Sequence, residues 1–382
     1  MHHGLFTFND DARTSYEMMI ELVSNIENFL AEKNTFRNGA QAKSNPATDD
    51  IQTLAGIRKH ICELTGKTML ARLDCEPLAA GFAALEGLES IATRGPITPD
   101  HTIHTKLKPV IIAEDSAKAI NSFADDYRDY FARNAKNKNN QINGLTCLDP
   151  APRFAVWKQR GLVSFGQNAK RLQVVGDISR HTIKAIQWGE ALGGWQALPE
   201  KDLFDVEYWE LEQAKLKKSG NAPALEGKVV LVSGAASGIG KACVEEFIAA
   251  GACILALDLN PAVTSLFASA QVKGLVCDVT DNAAITTAIH AGVCAFGGLD
   301  ILVSNAGSFT PSQSLGEMSD EHWQASLDLN LSSHMKLMRA ALPFLEQGIE
   351  PAIVFIASKN VPAPGPGAGA YSAAKAGLTQ MA

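Results

Sequence analysis

Lys228-Val-Val-Leu-Val-Ser-Gly-Ala-Ala-Ser-Gly-Ile-Gly240 decides the reading of this 382-residue chain. A short apolar run, residues 229–232, leads into three glycines, Gly234, Gly238 and Gly240, and then into an amphipathic helical stretch at 240–250. Glycine permits the tight turn and lets backbone N–H groups approach a pyrophosphate at the positive end of the helix. On this reading Ser233, Gly234, Ser237, Gly238, Ile239 and Gly240 form a dinucleotide cradle. A second apolar run, 253–257, ends in Asp258, 18 residues after Gly240. An acid there accepts both hydroxyls of an adenosine ribose and repels a 2′-phosphate. Ala235, Ala236 and Ser237 offer no cation to hold such a phosphate, so the pattern favours NAD over NADP.

The texture set by this stretch continues to the end of the chain. Apolar runs at 274–277, 301–304 and 353–357 alternate with helical patterns at 282–296 and 320–344. Strands that are apolar on both faces and separated by helices predict a parallel sheet covered on both sides. The expected fold class is therefore α/β, with a doubly wound, Rossmann-type sheet in the C-terminal part.

Upstream the pattern differs. Gly220-Asn-Ala-Pro223 reads as a linker, which suggests division into residues 1–219, a connection at 220–225, and 226–382. Helical spacing of apolar residues appears at 10–33, 116–134 and 168–192, and residues 202–218 run from acidic to basic, as suits a helix dipole. The run at 109–113 reads as a strand.

Composition excludes several classes. A net charge of −7 without any long basic run argues against a nucleic-acid partner. No segment approaches the ~20 apolar residues of a membrane span. No basic region followed by an apolar run marks a signal peptide. The seven cysteines stand singly, an odd number with no CxxC pair, which fits a reducing cytoplasm better than a disulfide framework.

Gly-x-x-x-Gly-x-Gly at 234–240 resembles the turn of the short-chain dehydrogenase/reductase family, and the match continues in order over about 150 residues. Asp278-Val279 resembles the pair that meets the adenine ring. Asn305-Ala306-Gly307 matches the family's Asn-Ala-Gly after the fourth strand. Asn330 stands where the family has its helix-embedded active-site Asn. Ser358 precedes Tyr371 by 13 residues, and Tyr371-Ser-Ala-Ala-Lys375 is the Tyr-x-x-x-Lys signature. The resemblance implies Asn330, Ser358, Tyr371 and Lys375 as the catalytic set, with Tyr371 and Lys375 also touching the cofactor. The residue types suit the chemistry. Positions four apart share a helix face, and a nearby ammonium favours the ionised form of a phenol. Such a phenol can take a proton from an alcohol as hydride leaves for a nicotinamide, or return it in reduction.

Two further expectations follow from resemblance. The chain stops seven residues past Lys375, before the family's sixth strand, substrate-covering segment and seventh strand. Residues 353–357 would then lie at a sheet edge. Met1-His-His-Gly-Leu-Phe-Thr-Phe8, residues 94–106, Leu148-Asp-Pro-Ala-Pro-Arg153 and residues 202–216 resemble bifunctional class II aldolase/short-chain dehydrogenase fusions of the rhamnulose-1-phosphate aldolase type. The N-terminal part is accordingly expected to be a partial class II aldolase-like α/β region, and the chain a fragment of a longer cytoplasmic protein. In that family an Asn-His-Gly-like turn supplies a zinc ligand, and His3 is the matching position. The family's other ligands lie further upstream, so zinc is implied only for the longer protein. His101 and His104 read as a turn or helix start. His104 stands where the family has Arg, and the Gly-rich stretch after Leu-Asp-Pro is degraded.

Three functions compete at this level. The first is NAD-dependent hydride transfer to or from a small, sugar-derived alcohol or carbonyl compound. The second is zinc-dependent cleavage of a ketose 1-phosphate by the longer protein. The third is nucleotide binding without catalysis. The family also implies a homo-oligomer.

Overall fold

The computed structural model describes residues 5–33, 46–136, 144–216, 222–309 and 311–382. Two sheets organise them. The first contains β1 (Leu70–Asp74), β2 (Val110–Ile112), β3 (Phe154–Trp157) and β4 (Gly161–Gly166), in the order β1-β4-β3-β2. β4 runs antiparallel to both β1 and β3, and β2 runs parallel to β3. The second contains β5 (Val229–Ser233), β6 (Cys253–Asp258), β7 (Val272–Val276), β8 (Ile301–Ser304) and β9 (Ala352–Phe355), in the order β7-β6-β5-β8-β9. All its pairings are parallel. The order reverses at β5/β8, which is where an open α/β sheet presents its ligand crevice.

Local chemistry sets the element ends. Asp281 caps the helix Asn282–Phe296 by accepting from the Ala283 amide, and Gly297 ends it in the left-handed region at φ 88°. Asp115 caps Ser116–Asn134 in the same way through Lys118. β5 and β6 are buried along nearly their whole length, as expected of strands covered on both faces. β9 stands at the edge of its sheet, with Ile353 and Val354 partly open to solvent.

The structure departs from the sequence pattern in several places. The expected helix over residues 202–218 is two helices, Glu200–Glu207 and Glu210–Leu216. The β3–β4 hairpin was not legible in the sequence. Its residues are buried on both faces, so no period-two alternation marks it. Helix Ala12–Glu32 forms as the spacing predicts, but among its residues only Leu30 is buried.

One apolar core reaches across both sheets. Ala71 and Phe165 of the first join Leu255 of the second and Ile289, Val293 and Phe296 of the helix Asn282–Phe296. A Cβ on Gly297 would stand 2.5 Å from that of Ala71. Beneath this contact lies an ion pair between Arg58 and Asp300, with Nη1 to Oδ1 at 3.1 Å and Nη2 to Oδ2 at 2.7 Å. Asp300 also accepts from the amides of Val229 and Ile349, so both its oxygens are doubly engaged. Arg58 donates to the carbonyls of Met69 and Gly227 as well. A fully buried pair tied by two parallel hydrogen bonds and held by backbone groups of both units links two sheets that the sequence presents as separate units.

Candidate functional site

The glycine turn after β5 sits at the reversal point. Gly234 and Gly238 have φ of 68° and 52°, values that disfavour side chains. A Cβ on Gly240 would lie 2.0 Å from the carbonyl oxygen of Gly234. Gly240 therefore serves close packing of the helix Gly238–Ala249 on the turn. Asp258, at the end of β6, reaches across to the turn. Its Oδ2 accepts from the Ala236 amide at 2.9 Å and its Oδ1 from the Asn260 amide at 2.8 Å. The carboxylate is thereby fixed beside the glycines before any ligand arrives.

Asn305 braces the same turn from β8. Its Nδ2 donates to the carbonyls of Ser233 and Gly234. The Ser233 hydroxyl accepts from the amides of Asn305 and Ala306 at 2.9 and 3.0 Å. Ser233 and Gly240 thus act beneath the cleft surface.

Asn330 lies in a single π-helical turn, Asp328–Ser332, between the helices Asp320–Leu327 and Ser333–Leu345. It is fully buried. Its Oδ1 accepts from the Ser308 amide at 3.1 Å and its Nδ2 donates to the Ser326 carbonyl. A Cβ on Gly307 would come within 2.8 Å of Asn330 Oδ1 and 3.4 Å of Lys375 Nζ, so a side chain there would press on both. Wide turns of this kind recur at functional sites because they re-aim a side chain.

Tyr371 and Lys375 stand on the helix Gly369–Met381. The Tyr371 ring packs on Phe309, with centroids 4.9 Å apart. Lys375 is 3% exposed and donates to the Ile356 carbonyl at 3.0 Å. Burial lowers its pKa to about 8. Its Nζ also lies 3.5 Å from Nε2 of His334, whose Nδ1 is 2.6 Å from the Ser304 hydroxyl. Burial, and then the Lys375 charge, lowers the His334 pKa to about 4. The imidazole is therefore neutral at ordinary pH, and its Nε2 lone pair faces the lysine.

A cleft of about 510 Å³ unites Gly234, Ser237, Gly238, Ile239, Asp258, Asp278, Val279, Asn305, Ala306, Gly307, Tyr371 and Lys375 on its walls. Ser233, Gly240, Asn330 and Ser358 are not part of that lining. Ser358 follows β9, and its hydroxyl accepts from the Asn360 amide at 3.2 Å. Phe309, Leu329 and Ile356 line the cleft without any signal in the sequence motifs. His334 touches Lys375 from behind, and as a single His within the helical stretch at 320–344 it belongs to no motif. Among the described residues no group of three His, Cys, Asp or Glu side chains is placed to hold a metal, and His3 lies outside them. No helix among the described residues is long and apolar enough to cross a membrane.

Sheet order, glycine turn and braced carboxylate together define a dinucleotide-binding α/β fold. The chain belongs to the short-chain dehydrogenase family over residues 228–382, preceded by an aldolase class II second domain over residues 48–216. It is similar along its whole length to the uncharacterized oxidoreductase YuxG of Bacillus subtilis, at 27% identity over 406 residues, and spans 58% of that protein. It is 38% identical over 156 residues to the 3-oxoacyl-[acyl-carrier-protein] reductase FabG of Escherichia coli, a match covering 40% of this chain and 64% of the relative. A crystal structure of the 3-ketoacyl-(acyl-carrier-protein) reductase of Brucella melitensis, complexed with NADH, is similar at 27% identity and a TM-score of 0.40, covering 41% of this chain and 68% of that one.

Proposed function

We propose that residues 226–382 bind NAD and transfer hydride between its nicotinamide and a small, sugar-derived alcohol or carbonyl compound. The observation that supports this reading most is the convergence of the glycine turn, Asp258 and the Tyr371–Lys375 pair on one cleft. In this reading the turn amides hold the pyrophosphate, Asp258 holds the adenosine ribose, and Asp278 with Val279 flanks the adenine. Tyr371 exchanges the proton with the substrate oxygen, and Lys375 supports its ionised form and the nicotinamide ribose. Ser358 donates its hydroxyl proton to the substrate oxygen while accepting from the Asn360 amide. Asn330 holds a water of the proton relay. Residues 1–219 form the aldolase-like unit, joined through 220–225. Seven free thiols fit a reducing cytoplasm. The family's habit of pairing through the helices around 320–345 and 369–381 supports a homo-oligomer. No step is assigned to zinc.

The test is spectrophotometric. NAD⁺ with a panel of polyols and hydroxyaldehydes, lactaldehyde among them, yields NADH absorbance with at least one member. Tyr371→Phe lowers that rate by about 10²–10⁴-fold, the usual range for a general acid/base. Full activity in Tyr371→Phe overturns the assignment.

A further inference from the structure

We propose that the aldolase-like half holds a second ligand site, a pocket around Lys106 that takes a small oxyanion: a carboxylate or phosphate group on a compound of a few carbons. The cavity measures about 280 Å³ and shares no lining residue with the dinucleotide cleft. It is smaller than the ~300–1,000 Å³ typical of sites for drug-sized ligands, so it suits a small metabolite rather than a dinucleotide.

Three observations meet at Lys106. Its backbone has φ 60° and ψ −172°, a region that is essentially glycine's own. A lysine kept in such a conformation holds its side chain where an ordinary backbone would not aim it. That side chain is only 3% exposed although it lines the cavity. Its Nζ donates to the Asp149 carbonyl at 2.6 Å and lies 3.4 Å from the centre of the Tyr127 ring. The surrounding charge is also unbalanced. Lys67, Lys106, Arg153 and Arg171 line the cavity, against the carboxylates of Asp149 and Glu207. Asp149 is already committed to Arg153 through two hydrogen bonds of 2.9 and 2.5 Å. Burial pushes Glu207 toward its neutral form, and Tyr127 donates to it at 2.8 Å. Arg171 lies 3.5 Å from His104 Nδ1 at the cavity wall. A surplus of cations around a partly enclosed cavity, in a chain of net charge −7, is a field that concentrates anions.

The same geometry links binding to protons. Burial, then the Arg153 charge, lowers the Lys106 pKa to about 7, with Glu207, Asp149 and Cys147 acting in the opposite sense. His104, Arg171 and Lys67 also line the cavity, and the Tyr127 phenol ring lies against the Lys106 ammonium. An entering anion favours the ammonium, so binding takes up protons near neutral pH and weakens as pH rises through 7.

Inorganic phosphate and glycolate, titrated calorimetrically into the full chain at an ionic strength matched with chloride, test the site and separate its two possible ligands. At least one is expected to saturate with one-to-one stoichiometry. Glycolate stays ionised throughout, and where it binds it does so about fivefold more tightly at pH 6 than at pH 8. Lys106→Gly, which suits the backbone, removes the binding. Arg171→Gln weakens it about fivefold or more, and keeps the test alive if the first variant fails to fold. Binding that survives both substitutions overturns the proposal. So does a response that chloride reproduces, or a phosphate response displaced by NADH, which would locate the anion in the glycine turn.

Discussion

His334 is the residue whose chemistry the motifs do not announce. It is 1% exposed and sits between the Ser304 hydroxyl and the Lys375 ammonium. Its folded pKa of about 4 lies below the ordinary histidine value of 6.5. Between these values the unfolded chain binds more protons than the folded one, so stability is complete above 6.5 and is lost as pH falls toward 4. A shift of that size corresponds to about 3 kcal/mol. Thermal unfolding followed from pH 7 to pH 4 should therefore fall more steeply in the native protein than in His334→Gln. Parallel curves would show that His334 does not carry the acid sensitivity. Tyr371, Lys375 and Asn330 were legible in the sequence because they fall in motifs that resemble those of the short-chain dehydrogenase family. His334 was not, since a single His on an apolar helix face carries no pattern. The environment that makes it matter comes from β8 and from the helix Gly369–Met381, both distant in sequence.

At the scale of elements, the C-terminal half was legible almost to the residue at 282–296 and 301–304, because an amphipathic helix with a capping Asp281 is followed by a short, largely buried apolar strand. What periodicity could not show is the π turn at Asp328–Ser332, which breaks the expected continuous helix over 320–344. Asn330→Ala removes one acceptor and one donor from a fully buried position, which typically costs about 1–3 kcal/mol. The expected outcome is a lower denaturation midpoint together with slower turnover. The glycine turn gives a sharper test. Gly240→Ala drives a Cβ into the Gly234 carbonyl, so the helix must lift from the turn. Dinucleotide affinity is expected to fall by about tenfold or more, with about 1–3 kcal/mol of destabilisation from overpacking. Unchanged affinity would show that the turn does not hold the pyrophosphate. The β3–β4 hairpin escaped the sequence reading for the opposite reason to the π turn. Its strands, Phe-Ala-Val-Trp157 and Gly161-Leu-Val-Ser-Phe-Gly166, are buried throughout, and a uniformly apolar stretch does not distinguish strand from helix.

The whole molecule is held by a core that crosses from one sheet to the other, and by the Arg58–Asp300 pair beneath it. A linker-like stretch suggests independent units, whereas the packing couples them. Arg58→Met strands a buried carboxylate and is expected to cost about 3–5 kcal/mol. Both sheets should then melt together, in one transition seen by circular dichroism and by tryptophan fluorescence alike. Two separated transitions would contradict the shared core. In the cleft of the second sheet Asp258 is held beside the glycine turn by the Ala236 amide. The most direct measurement is a pair of fluorescence titrations, NADH against NADPH, on the native chain and on Asp258→Ala. Saturable NADH binding about tenfold or more tighter than NADPH binding is expected, with most of that preference lost in the variant. No NADH binding, or equal affinity for the two dinucleotides in the native chain, would contradict it.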